Sequence, residues 1–257
     1  MRFTSLGSGS GGNCLVAESG ATRLMVDCGF SIRETEHRLA RIGLTPRDIN
    51  GILVTHEHDD HAGGVFRFAA KHGITVWITH GTLHAAQRYI PEHFSTPLTV
   101  IDSHTVFSIG ELEVHPFPVP HDAAEPVQYV LCSGHHRLGV LTDTGCSTPH
   151  IEQMLSGCDA LVLECNHDID MLMNGSYSWP LKQRIRGRNG HLDNTSASEL
   201  LARLDTRKLQ HLIAAHLSEK NNTPELATQA LAQVMNCGRE WIAVATQMEG
   251  FGWRQIA

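Results

Sequence analysis

The sequence predicts a layered α/β sandwich in which helices cover sheets, folded as one domain over residues 1–257. Three observations carry that prediction. Short apolar runs of strand length recur along the chain and are interleaved with segments of helical period. A chain of 257 residues can build one large core, or at most two small ones. No repeat, low-complexity tract or Pro/Ser linker separates one part of the chain from another.

The first half is rich in strands. Residues 2–6 make a short strand that breaks into Gly7-Ser8-Gly9-Ser10-Gly11-Gly12-Asn13. Residues 14–18 and 22–27 make two strands joined by the turn Ser19-Gly20-Ala21. A helix over 32–42 ends at Gly43. Residues 51–55 are a buried strand with Ile52-Leu53-Val54 at its centre. Helices over 63–72 and 81–89 flank a strand over 74–79, and strands follow at 99–102, 105–109, 111–118, 127–132 and 137–142. Helix and strand then alternate: helix 149–155, strand 160–164, helix 196–204, strand 209–214. A helix over 225–235 carries the apolar stripe Leu226, Ala227, Ala230, Leu231, Val234 and Met235, and a last strand covers 241–246.

Composition narrows the function. With 41% hydrophobic and 18% charged residues, this is an ordinary folded protein. No apolar run reaches the ~20 residues of a membrane span, and the N-terminus has no signal-peptide pattern. The expectation is a cytoplasmic protein with no membrane partner. Seven cysteines, an odd number without a CxxC pair, fit reduced thiols rather than a disulfide framework. The net charge of −7 excludes a chain coated in positive charge and leaves room for a local basic patch. Eighteen histidines are the unusual feature, although His37, His72, His84, His93 and His211 fall within helix or strand patterns and read as fillers.

Gly7, Gly9 and Gly12 match the dinucleotide fingerprint letter for letter. That fingerprint requires a helix next, whose N-terminus holds the pyrophosphate. Here Cys14-Leu15-Val16-Ala17 reads as a strand, and no Gly-Lys-Ser/Thr follows, so a nucleotide cofactor is not expected. A tight loop beside an active site is the better reading, with glycines that allow unusual backbone angles and amides able to face an anion.

The central signal is Thr55-His56-Glu57-His58-Asp59-Asp60-His61, directly after a buried strand. Imidazole and carboxylate are natural ligands for zinc, and less selectively for manganese or iron. His56 and His58 lie two apart on an extended segment, so both rings can point one way. Asp60 and His61 follow on the turn into a helix. Four ligands this close cannot close on one tetrahedral ion without strain, and two adjacent ions satisfy them more easily. A random H-x-H-x-D-H of this composition is expected only about 0.004 times in such a chain.

His56-x-His58-x-Asp60-His61 after an apolar strand resembles the signature of the metallo-β-lactamase superfamily. The resemblance covers nearly the whole chain and implies a four-layer αββα sandwich. Asp27, after Leu24-Met25-Val26, resembles that family's buried structural Asp, which orients the cluster from behind. His121, Asp143 and His216 resemble the remaining ligands. The implied assignment places His56, His58 and His121 on one divalent ion and Asp60, His61 and His216 on a second. Asp143 and a hydroxide bridge them. Zinc is the first expectation. Asp60 counts here among the catalytic groups as well as the ligands.

Departures within the motif choose among branches. Penicillin-cleaving members commonly carry Cys where Asp143 stands, and flavodiiron members generally carry Glu in place of His58. Leu163-Glu164-Cys165-Asn166-His167-Asp168 and Gly190-His191-Leu192-Asp193-Asn194-Thr195-Ser196-Ala197 resemble the Glu and His motifs of the nuclease branches. A His held by a carboxylate is raised in pKa and can protonate a departing oxygen. His191 is therefore the expected general acid or phosphate-binding cation, and Glu164 orients it. The run from Lys182 through Arg184 and Arg186 to Asn189 leads directly to His191. It reads as a place to receive an anionic backbone or, failing that, as a solvated helix face. His167 is a further candidate contact. Gly7–Cys14, Glu164–Leu172 and His216–Asn222 resemble the YycJ/WalJ-like nuclease subfamily, which implies a nuclease acting on DNA ahead of RNA, from 5′ ends. The stretches between His121 and Asp143, and between Asp143 and His216, are too short for a tRNase Z exosite arm or a β-CASP domain. The alternative is a thioester or lactone hydrolase of the glyoxalase II type, which needs the same metals without the basic run.

Overall fold

The computed structural model describes residues 1–257. Six strands from the first half, β1 (Arg2–Gly7), β2 (Cys14–Ser19), β3 (Thr22–Val26), β4 (Gly51–Leu53), β5 (Val76–Thr79) and β6 (Leu98–Ile101), form most of one sheet. The next seven form the other: β7 (Phe107–Ile109), β8 (Leu112–Pro118), β9 (Val127–Ser133), β10 (His136–Leu141), β11 (Ala160–Glu164), β12 (His211–Ala215) and β13 (Ala243–Val244). The last strand, β14 (Phe251–Gln255), returns to the edge of the first sheet and pairs antiparallel with β1.

The two sheets share one topology. In the first, order β14-β1-β2-β3-β4-β5-β6, pairing is antiparallel as far as β3 and parallel beyond it. In the second, β7 to β10 pair antiparallel and β10 to β13 parallel. The repeat lies in strand pairing, not in residues, which is why no repeat is visible in the sequence. The first copy is completed only when β14 comes back to it.

Nine helices accompany the sheets: α1 (Ile32–Arg41), α2 (Asp59–Ala62), α3 (Val65–His72), α4 (His80–Ala85), α5 (Pro149–Leu155), α6 (Ile169–Asn174), α7 (Trp179–Ile185), α8 (Asn194–Arg203) and α9 (Pro224–Met235). Three buried clusters define the layers. Leu39, Phe66 and Phe68 pack with Ile52 and Ile78 on one outer face. Phe3, Leu24, Tyr129 and Val162 fill the space between the sheets. Leu155, Leu200 and Leu231 pack with Leu161 and Leu163 on the other outer face. Residues of β11 alternate with the period of a strand: Ala160 and Val162 face the other sheet, and Leu161 and Leu163 face helices. This is the αββα sandwich expected of the sequence. All seven cysteines are unpaired, and no helix is long and apolar enough to cross a membrane.

Most elements fall where the apolar pattern puts them, with three informative departures. The expected last strand, 241–246, shrinks to Ala243–Val244, because a 3₁₀ turn occupies Arg239–Trp241. The true last strand, β14, sits at a sheet edge and buries only Phe251 and, in part, Trp253 on one face, too short a run for the apolar pattern to mark. The expected helix over 63–72 is preceded by the separate turn α2, which carries Asp60 and His61. Finally, α6 and α7 occupy a stretch with no periodic apolar stripe. Each is one to two turns long: α6 is capped by Asp168, which accepts from Met171 N at 2.9 Å, and α7 starts with Pro180 in its first turn, without a side-chain cap from Ser178.

The sheets are tied at the root of the histidine loop. The buried Tyr129 hydroxyl, on β9, donates to the Val54 carbonyl at 2.7 Å. Tyr129→Phe removes that donor and leaves a buried carbonyl without a partner. Loss of about 1–3 kcal/mol of stability is expected, read as a lower urea midpoint with unchanged slope.

Candidate metal centre

The site is assembled from strand ends. Asp27 follows β3, residues 55–61 follow β4, His121 follows β8, Asp143 follows β10, Glu164 closes β11 and His216 follows β12. Three of these positions are costly for the backbone. Asp27 (φ 63°), Asp143 (φ 52°) and His216 (φ 56°) adopt left-handed conformations, and the only other non-glycine residue that does so, Asn236, ends α9. Such angles are uncommon for residues with a Cβ and concentrate at functional sites. In this fold they turn the chain sharply at the end of a strand, so that a side chain lands in the site instead of continuing the strand's path.

The residues gather into two groups of converging donor atoms: His56, His58 and His121 in one, Asp60, His61, Asp143 and His216 in the other. His58 Nδ1 lies 3.0 Å from His56 Nε2 and 3.2 Å from His121 Nε2. Asp143 Oδ2 lies 3.0 Å from His61 Nε2, and Asp60 Oδ2 lies 3.3 Å from His216 Nε2. Lone pairs pointed at each other at such distances are repulsive unless a proton or a cation lies between them. Asp143 Oδ2 is buried and accepts no hydrogen bond. Divalent cations suit both groups: all the donors are imidazole nitrogen or carboxylate oxygen.

The far nitrogen of all but one of these rings meets a polar partner. His61 Nδ1 donates to Asp27 Oδ2 at 2.7 Å, and His121 Nδ1 donates to the Gly190 carbonyl at 3.0 Å. His56 Nδ1 meets the Thr55 hydroxyl at 3.0 Å, and His216 Nδ1 lies 3.4 Å from Glu164 Oε1. His58 is turned the other way, with Nε2 3.9 Å from Asp122 Oδ1. Contacts of this kind fix ring orientation and choose which nitrogen faces a metal. Asp27 does most of this work. Besides His61, it accepts from Thr55 N at 2.8 Å and from the Thr55 hydroxyl at 2.7 Å, so it holds both ends of the histidine loop.

Burial lowers the pKa of His56 and His121, and neighbouring rings lower His56 further, so both favour the neutral form that binds metals. Burial would raise Asp143, but His216 and His61 outweigh it and hold the carboxyl well below the usual range.

Beside these groups, His191 Nδ1 meets the fully buried Glu164 Oε1 at 2.7 Å and Asp143 Oδ1 at 3.5 Å. Burial opposes a charge on His191, yet Glu164 and Asp143 prevail and its pKa is raised. Glu164, which burial alone would raise, is lowered to about 2 by His191 and His216. Glu164 Oε2 also accepts from Thr144 N at 3.0 Å and Leu192 N at 3.1 Å, so the carboxylate is fixed. The helix nearby is capped by Asp193, not by His191, so His191 is free of a capping role.

The basic run divides in two. Lys182 is buried, and its ammonium donates to the Met173 carbonyl at 2.7 Å, pinning α7 to α6. His167 is buried too, with Nε2 unpartnered. Arg184, Arg186 and Asn189 are exposed. Arg184 Nε meets Asp122 Oδ2 at 2.5 Å, which links α7 to the acid flanking His58 and His121.

Two supporting residues were not anticipated. Asn13 Nδ2 lies 3.3 Å from Asp60 Oδ2 and 3.0 Å from His61 Nε2, while Asn13 Oδ1 accepts from Gly9 N at 2.9 Å and Ser8 Oγ at 3.1 Å. Ser8 Oγ in turn accepts from His216 N at 2.9 Å. The glycine loop is thus a brace for the second group. Its Gly9 and Gly11 amides are used internally, the latter by Gln247 Oε1 at 2.7 Å, and do not face an anion. Gly12 (φ 143°) is required there, since a Cβ would sit 2.5 Å from the Phe30 ring. The polar Asn13 ending a glycine run was the available signal for this role. Asp122, directly after His121, had none beyond its position.

Imidazoles and carboxylates converging at the ends of two stacked sheets define a metal-dependent hydrolase with a metallo-β-lactamase fold. The family described as "Beta-lactamase superfamily domain" matches residues 22–216, and the chain belongs to it. It is 36% identical over 235 residues to the exodeoxyribonuclease YycJ of Bacillus anthracis, covering 91% of this chain and 89% of that one. It is 33% identical to the exodeoxyribonuclease WalJ of Streptococcus pneumoniae, covering 88% and 85%. Among solved structures, zinc-bound PqqB of Methylobacterium extorquens superposes with a TM-score of 0.75 at 19% identity, covering 99% and 100%. YhfI of Bacillus subtilis gives 0.76 at 15%, covering 98% of each chain.

Replacing Asp27 with Ala frees Thr55 and His61 together. Affinity for divalent metal in the Asp60–His61–Asp143–His216 group is expected to fall about 10- to 100-fold, with the His56–His58–His121 group less affected. Competition titration with a chromophoric chelator reads the two affinities separately.

Proposed function

We propose that the whole chain works as one hydrolase domain, a dinuclear metal-dependent nuclease that degrades DNA from 5′ ends. The Glu164–His191 pair beside the metal ligands is the observation that carries this reading. A thioester or lactone hydrolase needs the metals but has no use for a buried carboxylate that raises the pKa of a histidine at the rim. The sequence likeness to the exodeoxyribonucleases, over nearly their full length, supports DNA ahead of RNA.

In this reading His56, His58 and His121 would hold one ion, Asp60, His61 and His216 would hold the other, and Asp143 would serve as a ligand shared by the two groups. Zinc suits the histidine-rich first group best, with manganese or iron as alternatives. When bound, the two ions lower the pKa of a water and offset the charge of a phosphodiester. The chain's own groups do the rest. Asp27 and Asn13 hold His61 and Asp60 in register. His191, its pKa raised by Glu164, gives its proton to the oxygen that leaves phosphorus. Arg184, Arg186 and Asn189, exposed on the path to His191, receive the backbone, while Lys182 and His167 support that path from inside.

Two measurements test the reading. His191→Ala is expected to keep its metal content, checked by elemental analysis, and to lose about 10²- to 10⁴-fold in strand cleavage; full activity in that variant would remove His191 from the chemistry. End-labelled duplex DNA and RNA, digested with and without a chelator, should show chelator-sensitive release from DNA 5′ ends. Saturable thioester turnover without nucleic-acid cleavage would overturn the nuclease assignment.

A further inference from the structure

Next to His191 the surface opens into a cavity of about 190 Å³, bounded by Ser10, Tyr177, Leu181, Arg184, Ile185 and His191. A cavity of this size can admit a flat ring system. Tyr177, Leu181 and Ile185 give it apolar lining. The Arg184 guanidinium is clamped in place by Asp122 at 2.5 Å, and a fixed guanidinium plane stacks on aromatic rings. The Lys220 ammonium, 5.5 Å from the centroid of the Tyr177 ring, adds positive charge to the same rim. One wall is the glycine loop through Ser10, and the opposite wall is α7.

We propose that this cavity seats one unstacked nucleobase, that of the terminal nucleotide released in each turnover, with Tyr177 as its stacking platform. The inference rests on the nuclease reading and adds the form in which substrate must arrive. A water oxygen bonds to phosphorus and its proton passes to solvent, the P–O3′ bond breaks, and the proton from His191 goes to O3′. The departing oxygen therefore belongs to the 5′-terminal nucleotide, whose base lies on the His191 side, where the cavity is. Of its polar side chains, Arg184 and Asp122 are engaged with each other and His191 with Glu164, so recognition is by ring faces and is tolerant of sequence. A duplex end must open by one base pair to fill it, which favours frayed or mismatched ends.

The test uses metal-loaded protein and oligonucleotides whose first linkage is a non-hydrolysable phosphonate, labelled at the far 3′ end. Fluorescence anisotropy should show the wild type binding an intact 5′-terminal nucleotide about tenfold more tightly than an abasic one. Tyr177→Ala should lose that preference and Tyr177→Phe should keep it. In cleavage assays Tyr177→Ala should raise KM for intact ends without changing KM for abasic ends. Equal wild-type affinity for intact and abasic ends would overturn the subsite, whether or not Tyr177→Ala folds, and so would a preference that survives Tyr177→Ala. Cleavage of DNA by wild type with no such preference would sink the subsite alone. Absence of any nucleic-acid cleavage would sink the nuclease reading with it.

Discussion

The structure depends on one carboxylate. Asp27 stands at the end of β3 in a strained backbone conformation and accepts three hydrogen bonds, two from Thr55 and one from His61. Thr55 opens the histidine loop and His61 closes it, so a single buried group fixes where both ends of that loop lie. His56, His58 and Asp60 are carried between those ends. Rings crowded nitrogen to nitrogen would repel if left to rotate, and His56, His61 and His121 are each held by a hydrogen-bond partner on the other side. Rigidity here serves chemistry: hydrogen bonds within the protein fix the orientation of these ligands.

The shared topology of the sheets gives this arrangement a logic. In each sheet, one strand divides the antiparallel half from the parallel half, β3 in the first and β10 in the second. Both are followed within two residues by an aspartate of positive φ, Asp27 and Asp143. Equivalent positions have taken different roles. Asp27 turns toward backbone and hydroxyl donors and becomes a support, whereas Asp143 keeps an oxygen without any donor and faces the other ligands. The site lies where the two sheets present these ends together, so it needs both.

How much of this was legible in the sequence depended on the distance over which each feature is decided. His56, His58, Asp60 and His61 are within one short segment, and their chemistry is visible there. His121, Asp143 and His216 each follow an apolar strand, and the family pattern supplies their order. Glu164 and His191 were readable as a pair through the resemblance of their segments to the nuclease branches, not from any local pattern. What could not be read was decided by packing. Lys182 looks like its neighbours Arg184 and Arg186, yet its ammonium folds inward to a carbonyl, because α6 and α7 form a corner that no periodicity announces. His167 is closed off by its neighbours in the same way. The strand β14 was missed because only half of one face is buried, and its partner β1 lies at the opposite end of the chain.

The return of β14 to the first sheet ties distant parts of the chain to one loop. The Gln247 side chain, in the loop ahead of β14, accepts from Gly11 N at 2.7 Å and donates to the Gly12 carbonyl at 2.8 Å. Arg38 binds both the Leu6 and Gln247 carbonyls, at 2.7 and 2.9 Å. The loop that steadies Asp60 and His61 is therefore clasped by a residue 235 and 236 positions away along the chain. Contacts across such a separation are slow to form. A substitution that loosened the β14 edge would accordingly be felt at Asp60 and His61, far from any ligand it touches.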